Sequence, residues 1–380
     1  MPSAMSVRPR AVPSPSERDV VSTRKDQHLD IVAQRDVGSG GLALGFGRFA
    51  LEYDALPELD LDEVDLATTA LGKRLSAPLV IGAMTGGSAR AGRVNERLGR
   101  IAARCGVAMA LGSQRAMIVD PALAGTFAVR ESAPDLPLLF GNVGAVQLNY
   151  GVDAAQVRRA LERVSADALN LHLNPLQEAV QPEGDTRFAG LAAKIDGLCR
   201  ALPVPVLAKE VGSGLGRRAL AKLAKLPLAG VEVAGVGGTS WAKVESHRAA
   251  DGSAQQIIGA RLAGHGLPTP DATVLAREAF ADRTVIASGG VRTGMDVAVA
   301  IALGADLVAF AAPLLLAAEE SEARAEALLR TLLAELRVIL FTCGLRSIDE
   351  LRGASLVVMH DDALLHASAA HLRGRVRRGF

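Results

Sequence analysis

The sequence predicts an α/β fold, a (β/α)₈ barrel with an N-terminal extension, and three observations predict it. Short apolar runs alternate with longer segments of helical period; the alternation repeats eight times; and the unusual polar clusters fall just after the apolar runs. A helix between successive strands implies parallel pairing with right-handed crossovers. In such a barrel the chemistry gathers at the C-terminal ends of the strands. A doubly wound open sheet is the alternative architecture.

Taken in order, residues 1–20 open on "MPSAMSVRPRAVPSPSERD", rich in Pro, Ser and charge and without an apolar run, which is expected to be a disordered leader and not a signal peptide. Residues 21–75 form the N-terminal extension. Within it "STRKDQHLDIV" brings together Arg24, Lys25 and His28, and the first and last of these, four apart, share a helix face. Such a run is either a surface basic cluster or a segment that closes over an anionic substrate.

The barrel is expected over residues 76–350. Its strands are "PLVIGA" (78–83), "VAMALG" (107–112), "LLFGN" (138–142), "ALNLHL" (168–173), "VPVLAKE" (204–210), "GVEVAG" (230–235), "TVIASG" (284–289) and "DLVAFA" (306–311). Between them, 90–104, 153–164, 215–225 and 293–303 carry apolar residues at three- and four-residue steps with charge on the other face. Residues 351–380 are a C-terminal segment, and its basic end, "HLRGRVRRGF", reads as solvated tail.

The polar clusters follow the strands: "MTGG" (84–87), "SQR" (113–115), Asn142, "HLNPLQE" (172–178), "KE" (209–210), "GGT" (237–239) and "SGGVR" (288–292). The last opens a helix, since Thr293 can cap it and Asp296 suits the positive end of its dipole. A helix start fronted by glycines is an anion site, and in barrels the loops after the seventh and eighth strands commonly hold a phosphate.

Composition narrows the classes. Lys plus Arg total 42 against 41 for Asp plus Glu, which leaves no net field for nucleic acid or an anionic membrane. The longest uncharged apolar run, 307–318, contains Pro313 and is too short for a bilayer, which needs ~20 residues. Cys105, Cys199 and Cys343 are widely separated, with no Cys or His at ligand spacing, so free thiols and a reducing cytosol are expected.

Individual residues suggest roles. Lys209 ends an apolar strand and faces the barrel mouth, as a catalytic amine or as the partner of a bound anion. His172 and Asn174 alternate along the fourth strand and project toward the interior, with Gln177 and Glu178 close behind. Glu178 and Asp185 could hold Mg²⁺ through one carboxylate, the ion keeping its waters and meeting a diphosphate; solvated loop acids are the other reading. Competing classes for a phosphate-binding barrel are the α-hydroxy-acid oxidases, the inosine monophosphate dehydrogenases and a non-catalytic nucleotide-binding barrel. The first need a His–Arg pair where this chain has "GGTSW", and the second need a cysteine in a glycine-rich loop, which this chain does not offer.

The whole set resembles the type 2, FMN-dependent isopentenyl diphosphate isomerases, from about Arg24 to Asp349. The carriers are "RKDQH", "LGKRLSAPLVIGAMTGG", "GSQR", "GNVGAVQL", "HLNPLQEAVQPEGD", "KEVGSG", "GGTSW" and "SGGVRTGMDVAVAIALGAD". Ala83 departs from a Ser or Thr common there. The resemblance implies a (β/α)₈ barrel, FMN reduced by NAD(P)H, Mg²⁺, and conversion of isopentenyl diphosphate to dimethylallyl diphosphate without net redox change. It further implies that Met84, Thr85, Ser113, Asn142, Lys209, Thr239, Gly290, Arg292 and the Ala311–Ala312 backbone hold FMN, with Lys209 opposite the N1–C2=O edge. Arg24, Lys25, His28, Arg115, His172 and Asn174 would hold the diphosphate and orient its chain. Gln177 would lie beside the reacting carbons and Glu178 would bind Mg²⁺, so that Gln177, Lys209 and His172 form the catalytic set. A cytoplasmic homotetramer or homo-octamer is expected on the same ground, with the basic N-terminal segment and the stretch from Trp241 to Pro268 as candidate lids.

Overall fold

The computed structural model describes residues 15–39, 45–354, 356–358 and 376–378. Eight parallel strands close into a barrel. They are β1 (Leu79–Ile81), β2 (Ala108–Ala110), β3 (Leu139–Gly144), β4 (Ala168–Leu173), β5 (Val206–Glu210), β6 (Gly230–Glu232), β7 (Thr284–Ser288) and β8 (Leu307–Phe310). Each falls within or across the apolar run expected for it, and β8 pairs back onto β1 through Val308 and Leu79. The runs were legible because strands covered on both faces are almost wholly apolar.

Alternate residues of these strands fill the barrel: Val80, Ala108, Ala110, Phe140, Ala168, Leu207, Ile286 and Leu307 form one buried cluster. Toward the C-terminal ends the same inward rows turn polar, with Asn142, Asn170, His172, Lys209, Glu232 and Ser288. Register places Asn142 beside Asn170, His172 beside Lys209, and Lys209 beside Glu232. The site therefore rests on a packed aliphatic floor.

The outer helices start and stop where their end residues dictate. Ser88 caps Ala89–Cys105 by accepting from the Ala91 N–H, and Gly106 ends it at φ 64°, a left-handed turn that suits glycine. Asp153 and Gln156 form a capping box at the start of Ala154–Val164. The β2–β3 crossover has no long helix. Pro121, Gly125 and Pro134 break it into the short pieces Arg115–Val119, Pro121–Phe127 and Val129–Ser132. The stretch after β6 forms two helices, Trp241–Arg248 and Ala254–Arg261.

The expected leader lies outside the described residues as far as residue 14, and from Pro15 a helix runs to Gln34. That helix docks on the barrel through Ser88 Oγ, which donates to Asp26 Oδ1 at 2.6 Å, and through Arg90, which bridges Asp30 and Glu319. At the other end, Leu356–Val358 pairs antiparallel with Phe49–Leu51 and parallel with Val376–Arg378. Part of the expected basic tail is thus a strand, while residues 359–375 lie outside the described residues.

Candidate active site

A cavity of about 750 Å³ opens at the C-terminal ends of the strands. Every site residue expected from the sequence lines it except Asp185 and Thr85, the latter buried with its carbonyl accepting from the Gly112 N–H at 3.1 Å. Arg24, Lys25 and His28 reach it from the N-terminal helix, so the segment before the barrel completes the mouth.

On one set of walls stand the glycine turns. Gly289 and Gly290 have φ of 102° and 81°, a region that L side chains rarely adopt. A Cβ on Gly290 would come within 2.7 Å of the Gly237 carbonyl oxygen, and one on Gly238 within 2.7 Å of the Gly290 nitrogen. The two loops are thus pressed backbone to backbone, beside Thr239, Arg292, Ala311 and Ala312.

The helix after β7 does not present its own start as expected. Thr293 caps it as foreseen, but Asp296 Oδ2 accepts from the Arg292 and Thr293 N–H groups at 2.8 and 2.9 Å. Glu335 Oε2, from a distant helix, takes the Gly294 N–H at 2.7 Å. Three donors of that helix start are closed by carboxylates, so an anion must look elsewhere. The Gly289–Gly290 turn, the Arg292 side chain and the start of the helix Ala312–Glu320 remain.

Polar groups on β3 to β7 form the floor. Lys209 Nζ lies 2.5 Å from Glu232 Oε1 and donates to the Glu210 carbonyl at 3.0 Å. Glu232 also accepts from Ser288 Oγ at 2.9 Å and Asn170 Nδ2 at 3.0 Å. Glu210 Oε2 gathers the four N–H groups of Val211 to Gly214, which fixes the loop after β5. Asn142 Nδ2 donates to the Leu111 carbonyl, so its Oδ1, 2.7 Å from His172 Nδ1, is an acceptor. His172 therefore carries its proton on Nδ1. Burial, with Lys209, Lys25 and Arg115 nearby, holds its pKa down at about 3. Without a bound anion the imidazole is therefore neutral.

A second group centres on Glu245, fully buried on Trp241–Arg248. Gln177 Nε2 donates to its Oε1 at 2.9 Å, His28 Nε2 lies 3.2 Å from the same oxygen, and Arg248 pairs with Oε2 at 2.5 Å. His28 also meets the Trp241 ring edge-on, 5.3 Å between centroids. Burial pushes Glu245 up, but His28, Arg248 and Gln177 outweigh it and hold its pKa at about 2.

Arg115 pairs with Asp185 at 2.8 Å, and Gln147 donates to the same carboxylate oxygen. Asp185 Oδ2 thus holds Arg115. Glu178 accepts from Asn174 Nδ2 at 2.9 Å and from the Asp185 N–H at 2.6 Å, and burial raises its pKa. Among the described residues no group of three or more His, Cys, Asp or Glu stands ready to hold a metal ion. Arg24 Nε and Asn174 Oδ1 are buried without a hydrogen-bond partner. Burial, then Arg24, lowers the Lys25 pKa to about 7. The orphaned Arg24 Nε donor and the crowded cations suit an anion, and the glycine cradle suits a phosphate, so the residues fit a phosphate-bearing cofactor together with a second anionic ligand.

Glu232 and Glu245 were not singled out from the sequence. Glu232 had a signal, an acid in the middle of the apolar run "GVEVAG". Glu245, in "WAKVESH", looks like any solvated helix residue.

The family described as FMN-dependent dehydrogenase matches residues 176–358. An isopentenyl-diphosphate delta-isomerase of Nostoc sp. is 45% identical over 340 residues, covering 90% of this chain and 97% of that one. Those of Synechococcus sp. and Deinococcus radiodurans are 48% and 46% identical, covering 84% and 88% of this chain and 91% and 97% of theirs. Among solved structures, a mandelate oxidase bearing an FMN adduct superposes with TM-score 0.60 at 16% identity, covering 90% of this chain and 99% of that one. A lactate oxidase of Pediococcus acidilactici does so with TM-score 0.62 at 17% identity, over 93% and 97%. At such identities these two bear on the fold alone. No helix among the described residues is long and apolar enough to cross a membrane, and the three cysteines are free thiols.

Proposed function

The chain belongs to the isopentenyl-diphosphate delta-isomerases, and from that premise we propose how its barrel mouth moves the double bond of isopentenyl diphosphate to give dimethylallyl diphosphate with the help of FMN. The observation that carries the reading is that two anion-suited groupings line one cavity. One is the Gly290–Arg292 and Ala311–Ala312 cradle; the other is Arg24, Lys25 and Arg115. The first suits the cofactor phosphate and the second the substrate diphosphate. An oxidoreductase of the hydroxy-acid oxidase type shares the fold but is the weaker reading.

The difficulty is protonating an unactivated alkene and then removing a proton from C2. When bound, reduced FMN would supply acid–base chemistry and a negative charge beside the developing positive charge. The chain's own residues bind, orient and exclude water. Met84, Ser113, Asn142, Thr239, Gly290, Arg292 and the Ala311–Ala312 backbone hold the cofactor, with Thr85 fixing the first loop from behind. Lys209 provides a positive charge for the anionic ring. Gln177 has no useful pKa of its own and acts by hydrogen bonding beside the reacting carbons. Arg24, Lys25, His28, Arg115 and Asn174 orient the substrate, with His172 placed by Asn142 as a neutral group. Glu178 would hold Mg²⁺, which would help neutralise the diphosphate. NAD(P)H primes the reduced state, and the chain works as a cytoplasmic homo-oligomer.

The test is stoichiometry and solvent label. Under anaerobic conditions NADPH should be consumed only to prime the protein, after which many turnovers follow. In D₂O the dimethylallyl product should carry deuterium at the carbon that was protonated. NADPH used in proportion to product, or product free of solvent deuterium, overturns the reading in favour of a redox enzyme.

A further inference from the structure

Beneath the cavity one carboxylate joins four consecutive strands. Glu232 on β6 takes Lys209 Nζ of β5 at 2.5 Å and Ser288 Oγ of β7 at 2.9 Å on Oε1, and Asn170 Nδ2 of β4 at 3.0 Å on Oε2. It is 1% exposed and Lys209 7%. Taking both charges out of water is costly, and a pair of apolar residues of the same size would hold this floor as well or better. Both side chains nevertheless line the cavity.

Lys209 Nζ has three N–H bonds, one spent on Glu232 and one on the Glu210 carbonyl. Both of those acceptors are protein groups fixed on strands, so the direction of the third N–H is set. We propose that Glu232 is a positioning residue that aims Lys209 and holds the pair at zero net charge, and so sets how strongly this floor favours a negative charge on the cofactor above it. The inference rests on the reading that Lys209 faces FMN. Without Glu232 the lysine would be a bare buried cation, which would overbind the anionic reduced cofactor. Without Lys209 the carboxylate would repel it.

The test is made on the FMN-loaded protein. Glu232→Gln should favour reduced over oxidised FMN by about tenfold, read as a rise of ~30 mV in the midpoint potential. Lys209→Met should lower the potential, because it leaves the carboxylate uncompensated. The double variant Lys209→Met/Glu232→Gln removes both charges, so it should return the potential, and the thermal midpoint of the FMN-free protein, toward the parental values. A Glu232→Gln potential that stays put or falls overturns the proposal, and so does a double variant no better than Lys209→Met. If Glu232→Gln does not fold, the comparison of Lys209→Met with the double variant decides. A parental protein that takes up no FMN would defeat the flavin reading instead, and the thermal midpoints would still report whether the two residues act as a pair.

Discussion

Gln177 Nε2 donates to Glu245 Oε1 at 2.9 Å, across 68 residues of sequence. The contact orients the amide proposed to lie beside the reacting carbons, and the same carboxylate pairs with Arg248 and lies 3.2 Å from His28 Nε2. Gln177 and the N-terminal helix beside it are therefore both held by one buried charge. Glu245→Gln should break a buried ionic cluster, a change worth about 3–5 kcal/mol where one partner of such a pair is lost. It should raise KM, because His28 loses its anchor, and lower kcat, because Gln177 loses its orientation. Gln177→Ala should lower kcat ~10²-fold with FMN retained, the scale of positioning errors. Steady-state kinetics at saturating Mg²⁺ check both; a Glu245→Gln enzyme with parental KM and kcat would show that the contact is idle.

Acid should release the same cluster. The Glu245 pKa is depressed from its usual 4.5 to about 2, so its contribution is fully present above about pH 4.5 and is lost as pH falls toward 2. Glu245→Gln should therefore flatten the acid limb of the stability–pH curve. Thermal melts between pH 3 and 6 measure it, and parallel curves for the two proteins would remove Glu245 from the account.

The barrel was legible because strands buried on both faces appear as apolar runs, and in a barrel their C-terminal ends mark the mouth. The same rule places Lys209, His172 and Asn142 at the mouth from sequence alone. What sequence spacing could not give is which distant group each residue meets. Glu335 closes the Gly294 N–H from 41 residues away, and Asp185 engages Arg115 across 70 residues. Glu335 is an ordinary acid in an ordinary segment, and nothing around Asp185 names Arg115 as its partner. Long-range pairing of this kind follows from the closed topology and leaves no periodic trace.

His172 gives a pH prediction. Its pKa is lowered from 6.5 to about 3, by burial first and then by Lys209, Lys25 and Arg115. Between these values the unfolded chain binds the proton and the native one does not, so stability from this group rises with pH up to about 6.5 and is level above. The imidazole C–H signals of His172, assigned by comparison with His172→Asn, should not move between pH 5 and 8. A titration centred near 6.5 would mean that His172 is charged in the site and that its proton is not fixed by Asn142.

Glu178 meets protein donors on both oxygens, yet a carboxylate oxygen has lone pairs for more than one partner. Its raised pKa, caused by burial, falls when a cation arrives. Glu178→Gln should raise the Mg²⁺ concentration for half-maximal activity by tenfold or more while FMN binding is unchanged, since ~1.4 kcal/mol in metal binding is a factor of ten. A titration with parental Mg²⁺ dependence would move the metal to another place.

Lys25 is expected to couple anion binding to protons. Burial, then Arg24, lowers its pKa to about 7, so near pH 8 much of the free protein carries it neutral. A bound diphosphate favours the ammonium form and raises that pKa. Binding at pH 8 should therefore take up a proton, and affinity should weaken as pH rises from 7 to 9. Calorimetry of inorganic diphosphate in two buffers of different ionisation enthalpy counts the protons. The ligand's own ionisation is common to parental protein and Lys25→Met, so the difference between the two isolates the lysine. Parental protein should take up a larger fraction of a proton than the variant. Equal uptake would show that Lys25 is charged before the anion arrives, and that the pH dependence of binding belongs to the ligand alone.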